Sequence, residues 1–186
     1  MPAKESHMKS RTTFLPLTTL LVALVALAWV AQGQKMPFGG NEDISYANKV
    51  WSAIDGYRDW SIKSDVYPGK SPHGQYLQSY YSIIAVNGNH HHVIVKENYG
   101  GDDITAAKIR ESRDNWLKSV TVMVQREKGY DPDNNNWFWV KYLQDGSIAK
   151  NPKGMSLAGR VAKGADTGCI SCHAMAKGQD FLFSND

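Results

Sequence analysis

Tyr76-Leu77-Gln78-Ser79-Tyr80-Tyr81-Ser82-Ile83-Ile84-Ala85-Val86 is followed by Asn87-Gly88-Asn89 and then by His92-Val93-Ile94-Val95-Lys96-Glu97-Asn98. The first run is rich in Tyr, Ile and Val, residues that suit a pleated, half-buried surface. The second run alternates with period two. An Asn-Gly pair between two such runs is a turn signal. The spacing predicts two strands, 76–86 and 92–98. Alternation puts Lys96 on one face with Ile94 and His92, and Glu97 on the other with Val95.

The same reading extends outward. Val120–Gln125 is a further strand candidate. The loop 131–136 leads into Trp137–Tyr142, another strand, and Asp145-Gly146 marks a hairpin-type turn. Thr105–Lys118 is read as a short helix. Upstream, Pro68, Gly69, Pro72 and Gly74 punctuate a loop. Before it, Ile44, Ala47, Val50, Trp51 and Ile54 form one apolar stripe, predicting a helix over 44–54 with Asp43 as N-cap and Gly56 as terminator. Trp51 and Trp60 are assigned to core packing. The expected class is mainly β with a few helices (α+β). It has an antiparallel sheet, an N-terminal helix and a C-terminal helix that carries the motif described next.

That motif is Cys169-Ile170-Ser171-Cys172-His173, C-x-x-C-H, the attachment signature of a c-type haem. Thiols at i and i+3 lie on one helical turn, so both can add to the vinyl groups of one porphyrin. His173 then stands next to them as the axial ligand of the iron. Three other readings compete. A zinc site needs four ligands, and His90, His91 or His92 would have to join Cys169, Cys172 and His173. A thioredoxin-like C-x-x-C opens a βαβ unit, yet only 14 residues follow Cys172. Two buried reduced thiols suit an exported protein poorly. His90–His92 itself reads as a solvated turn, because three successive strand residues cannot face one metal.

Export is expected from the N-terminus. Lys4, Lys9 and Arg11 precede a short apolar run, Leu20 to Ala31, and small residues follow at Ala31 and Gly33. This is the layout of a secretory signal peptide cleaved near residues 31–33, leaving a periplasmic domain over 34–186. The run is short for a membrane span, although an uncleaved anchor is the alternative. Of 21 basic and 18 acidic residues, 18 and 17 remain beyond residue 33. So even a balance leaves no electrostatic footprint for nucleic acid. Both cysteines belong to the motif, so no disulfide is expected.

The order of elements separates this chain from the familiar small cytochromes. A class I cytochrome c carries its attachment motif near the start and a Met ligand far downstream; Met175 is too close to His173 for that role. A four-helix cytochrome c′ would show helical periodicity over 76–142. The chain instead resembles the cytochrome P-460 family. The resemblance rests on His73-Gly74, Val93-Ile94-Val95-Lys96-Glu97-Asn98, Val122-Met123, Gly129-Tyr130-Asp131, Trp137-Phe138-Trp139, the C-x-x-C-H motif and Asp180-Phe181-x-Phe183. It covers roughly 50–183.

The resemblance implies a mostly antiparallel fold and one covalent haem c, held by Cys169 and Cys172. It implies His173 on one side of the iron and an open position on the other. It also implies chemistry on small nitrogen species: hydroxylamine oxidation with electrons passed to a soluble cytochrome, or nitric oxide binding. A related branch, cytochrome c′-beta, binds diatomic gases without turnover. A plain electron-transfer cytochrome is the remaining alternative. Lys96 matches the lysine that enzymatic members join to the porphyrin edge. Those members also carry a distal carboxylate on the strand before the Trp-rich one. Here that strand has no acid, and Thr121 or Met123 stands at the corresponding place. His73 is the candidate substitute base. A homodimer is among the assemblies open to such a protein.

Overall fold

The computed structural model describes residues 37–178 and 180–183. The expected signal segment, 1–33, lies outside the described residues. Seven antiparallel strands form one sheet: β1 (Ile62–Lys63), β2 (Tyr67–Pro68), β3 (Tyr76–Val86), β4 (Asn89–Tyr99), β5 (Leu117–Gln125), β6 (Trp137–Leu143) and β7 (Ala158–Gly159). Their order is β1-β3-β4-β5-β6-β7, with β2 also on β3. The mainly-β α+β class read from the sequence is therefore the class observed.

The β3–β4 hairpin pairs from Tyr76↔Tyr99 to Val86↔Asn89 without a break. Asn87 (φ 53°) and Gly88 (φ 82°) alone make the turn. Positive φ at both positions is the type I′ geometry that matches strand twist. So tight a turn draws residues 89–91 into β4, which starts earlier than alternation alone suggested. One consequence corrects the reading of the histidines. His90 and His92 are exposed, but His91 is buried and donates from Nδ1 to the Gln125 carbonyl (3.0 Å).

The first helix, α1, runs Asn41–Ala53, three residues earlier than expected. Its N-cap is Gly40, not Asp43. Asp43 lies inside the first turn, and its carboxylate accepts backbone N–H groups of Gly40 and Gly39, closing the helix end from within. The segment 105–118 is not one helix. It divides at Ser112 into α2 (Ala106–Glu111), capped by the Thr105 hydroxyl, and α3 (Arg113–Trp116). Leu117 and Lys118 belong to β5, opposite the end of β4.

Paired residues across antiparallel strands share a face, so the register divides the sheet cleanly. One face carries Tyr80, Val95, Val122 and Val140 in one row and packs against Ala47 and Val50 of α1 and Ile54 at its C-terminal end. Each fully buried Val or Ile contributes about 1.5–3 kcal/mol. Trp51 and Trp60 pack on this core as partly buried residues. The opposite face carries Ile94, Met123, Trp137 and Trp139, and it gathers Val161, Ile170 and Phe181 from the C-terminal segment.

Candidate haem site

The motif forms a five-residue helix, α4 (Cys169–His173). Gly168 precedes it at φ 137°, and a Cβ there would meet the Ala162 Cβ at 2.2 Å. Only glycine admits this approach, which seats the helix start on the 160–165 turn. The Gly168 carbonyl then accepts the Cys172 N–H (3.1 Å). Cys169 and Cys172 stand one turn apart, both free and half-buried. Burial pushes the Cys169 thiol up from its ordinary value. Met175 is 71% exposed and does not turn back toward His173.

His173 is buried, and its Nδ1 donates to the Phe181 carbonyl (2.6 Å). A carbonyl only accepts, so this bond fixes the tautomer and leaves Nε2 with its lone pair. Burial drives the imidazole down to about 4, with Lys96 and His73 acting in the same direction and the Phe181 carbonyl against them. It is therefore neutral at pH 7, the form that ligates metal. Phe181 adopts φ 66°, a conformation that costs a bulky residue about 1–3 kcal/mol. Burial of its ring near Trp139 (6.3 Å) and the bond to His173 offset that cost.

The sheet provides the floor beneath this imidazole. Register aligns Ser79–Lys96–Thr121–Lys141 in one row and Tyr81–Ile94–Met123–Trp139 in the next. The Trp139 ring lies 4.8 Å from the His173 ring, and Phe183 lies 5.3 Å from it. A narrow crevice opens between Lys96, Ile94, Met123, His173, Leu182 and Phe183. Burial lowers the Lys96 amine from its ordinary value, and it has no hydrogen-bond or ion-pair partner among the described residues. Met123 lines the crevice, whereas the Thr121 hydroxyl is held between the Asn98 amide (3.2 Å) and the Lys96 carbonyl (3.4 Å). No acid lines the crevice.

His73 reaches the site from the 69–75 loop. A Cβ on Gly74 would meet the Tyr99 carbonyl oxygen at 2.4 Å, so glycine lets the loop lie on the end of β4. The His73 ring then stands 6.1 Å from that of His173, and its Nδ1 is bonded to the Asn98 Oδ1 (2.8 Å). Burial lowers the His73 imidazole, against the Asn98 hydrogen bond.

These groups fit a haem. A neutral, anchored imidazole supplies one axial nitrogen, and two thiols one turn apart match two vinyl groups. The indole Nε1–H of Trp139 is buried without a partner, and the half-buried Lys96 amine has none among the described residues either, so the floor offers polar groups to something not made of protein. A zinc site has no comparable support. His90–His92 lie at the hairpin end of β4, and no group of three or more His, Cys, Asp or Glu side chains gathers among the described residues. A cleft of about 650 Å³ beside Tyr57, Arg58 and Asp114 opens on the α1 side of the sheet and contains none of these ligands.

Cys169, Cys172, His173, Lys96, Met123 and His73 thus converge, while Thr121 serves the strand network. The roles of Trp139, Asn98 and Lys141 escaped the sequence reading. Trp139 and Asn98 entered it only as part of the resemblance, with no role, and Asn98 and Lys141 gain meaning only from cross-strand register.

The profile of the family described as Cytochrome P460 matches residues 54–184. The chain belongs to the cytochrome P460 family, and it is a c-type cytochrome that binds haem c. No curated protein and no solved structure matches it.

Proposed function

We propose that this protein is an exported mono-haem cytochrome that binds small nitrogen ligands, nitric oxide above all, and oxidises hydroxylamine slowly or not at all. Cys169 and Cys172 hold the haem through two thioethers, and His173 is its axial ligand. Bound haem supplies a redox-active iron that accepts a small ligand on the side away from His173. The observation that carries this reading is the pairing of a neutral, Nδ1-anchored His173 with a crevice free of carboxylates.

Proton removal from hydroxylamine needs a base within hydrogen-bond reach, and such assistance is typically worth about 10²–10⁴-fold. Met123 lines the crevice at the place expected for the missing acid, and a thioether cannot accept that proton. Lys96, half-buried and without a partner among the described residues, is the candidate for a bond to the porphyrin edge. An enzymatic reading rests on His73, whose free ring nitrogen is a proton acceptor facing His173. A soluble cytochrome would then receive the electrons.

The test is direct. Haem should remain with the chain in denaturing electrophoresis, and haem that extracts into acidic organic solvent would overturn the attachment. Tryptic mass spectrometry should place Lys96 and the Cys169/Cys172 peptide on one haem; a free Lys96 peptide from fully loaded protein excludes that bond. The protein should take up nitric oxide stoichiometrically. It should show little hydroxylamine oxidation with an artificial acceptor, rising about 10²–10⁴-fold in Met123→Glu. Rapid wild-type oxidation would make it an enzyme instead.

A further inference from the structure

The carbonyl that holds His173 is itself held from both sides. Trp137 is buried on β6, and its indole Nε1–H donates to the Asp180 carbonyl (3.1 Å), which fixes the peptide entering Phe181. The peptide leaving Phe181 is fixed by the Asp180 side chain, whose Oδ1 accepts the Leu182 N–H (2.9 Å). An aspartate bonded to the backbone two residues on closes an Asx turn, and Phe181 stands in its middle at φ 66°. The second peptide therefore joins two bonds. Its N–H, from Leu182, meets the Asp180 carboxylate, and its C=O, from Phe181, accepts the Nδ1–H of His173 (2.6 Å).

A peptide unit is planar, so fixing its N–H fixes the direction of its C=O. A negative acceptor at the N–H also pushes electron density onto the carbonyl oxygen, because hydrogen bonds in a chain polarise one another, by about 10–30% per bond. Asp180 is half-buried, so water screens its charge only in part. Ligating histidines commonly give their free N–H to a carboxylate, which raises the basicity of the ligating nitrogen. Here one peptide unit stands between the carboxylate and the ring. We infer that Asp180 is the positioning residue of the axial ligand: through the Phe181–Leu182 peptide its carboxylate strengthens electron donation from His173 Nε2 to the iron, and Trp137 holds the turn in place. This rests on the proposed attachment at Cys169 and Cys172 with His173 as ligand. A stronger donor favours ferric over ferrous iron.

Resonance Raman spectra of the reduced holoprotein test this through the iron–His173 stretching band, and spectroelectrochemistry through the midpoint potential. Asp180→Asn keeps the side-chain oxygen and removes the charge, whereas Asp180→Ala removes both. The band should fall in wavenumber and the potential rise in the order wild type, Asn, Ala, with haem covalently attached throughout. Trp137→Phe keeps a ring in the core but deletes the donor, and it should shift the band the same way. Asp166→Asn removes an equal charge from an exposed residue three positions before Cys169 and should leave the band in place. A band unmoved in both Asp180 variants overturns the inference and leaves the proposed function standing, even where urea unfolding shows them less stable. A purely structural turn would lower stability without touching the iron–nitrogen bond. An equal shift in Asp166→Asn overturns it in favour of net charge alone. If neither Asp180 variant attaches haem, the band in Trp137→Phe decides in the same way. Wild-type protein that carries no covalent haem overturns both.

Discussion

Lys96 and Glu97 are neighbours in the chain and opposites in their surroundings. Glu97 points to the α1 side of the sheet, is fully buried, and has every oxygen engaged. Oε1 accepts from the Tyr57 hydroxyl (2.7 Å) and Arg58 (2.7 Å), and Oε2 accepts from the Tyr80 hydroxyl (2.7 Å) and from that of Tyr99. Burial pushes its carboxyl up, but these donors outweigh burial and hold it below the ordinary carboxylate range. Lys96 points to the other side, is half-buried, and has no hydrogen-bond or ion-pair partner among the described residues. A buried polar group with all its partners stabilises a fold, whereas an unpartnered one costs free energy. The two faces of one strand thus separate scaffold from site.

The largest effect should come from breaking the satisfied side. Glu97→Ala leaves the Tyr57 and Tyr99 hydroxyls without their acceptor and takes one from Arg58 and Tyr80, which keep Asp114 and Gln78, and removing one partner of a buried ion pair costs about 3–5 kcal/mol. Urea unfolding measures it, and a loss below about 1 kcal/mol would mean that the cluster matters little. Acid should act in the same direction. Because the folded carboxyl lies below its unfolded value of about 4.3, its contribution is complete above that pH. It is lost as pH falls through the depressed folded value. Glu97→Gln should flatten this acid limb, which a stability–pH profile reads directly. Tyr99→Phe removes one donor and should cost about 0.5–1.5 kcal/mol in the same urea assay. Lys96→Met should change stability least, by less than about 1 kcal/mol and toward higher stability, because it deletes an unpartnered amine and keeps the buried stem. A loss of several kcal/mol in Lys96→Met would erase the contrast between the two faces.

Much of this was legible in the sequence. Period two across 92–98 separated Lys96 from Glu97 before any contact was known, and Asn87-Gly88 fixed the hairpin. The C-x-x-C-H spacing defined the helix Cys169–His173. Strands β1, β2 and β7 were not legible, because two residues are too few to alternate. The break at Ser112 was hidden because Leu117 and Lys118 are good helix formers, and pairing with the end of β4 overrides that propensity. The partnership of His73 with Asn98 spans 25 residues. It depends on a glycine packed against a distant strand end, which no local pattern announces. The place of Trp139 in the site was not legible either, because no sequence pattern tells whether an indole nitrogen will find an acceptor, and this one has none.

The two neighbouring histidines are each held by an amide oxygen, one from the main chain and one from a side chain. His173 is bonded to the main-chain carbonyl of Phe181, and His73 to the side chain of Asn98. No codon change deletes a carbonyl, whereas one nucleotide suffices to replace an asparagine. Mutation can therefore retune the His73 side in a single step, while the His173 side answers only indirectly, through the turn around Phe181. Descendants of this sequence should diverge first at 73 and 98.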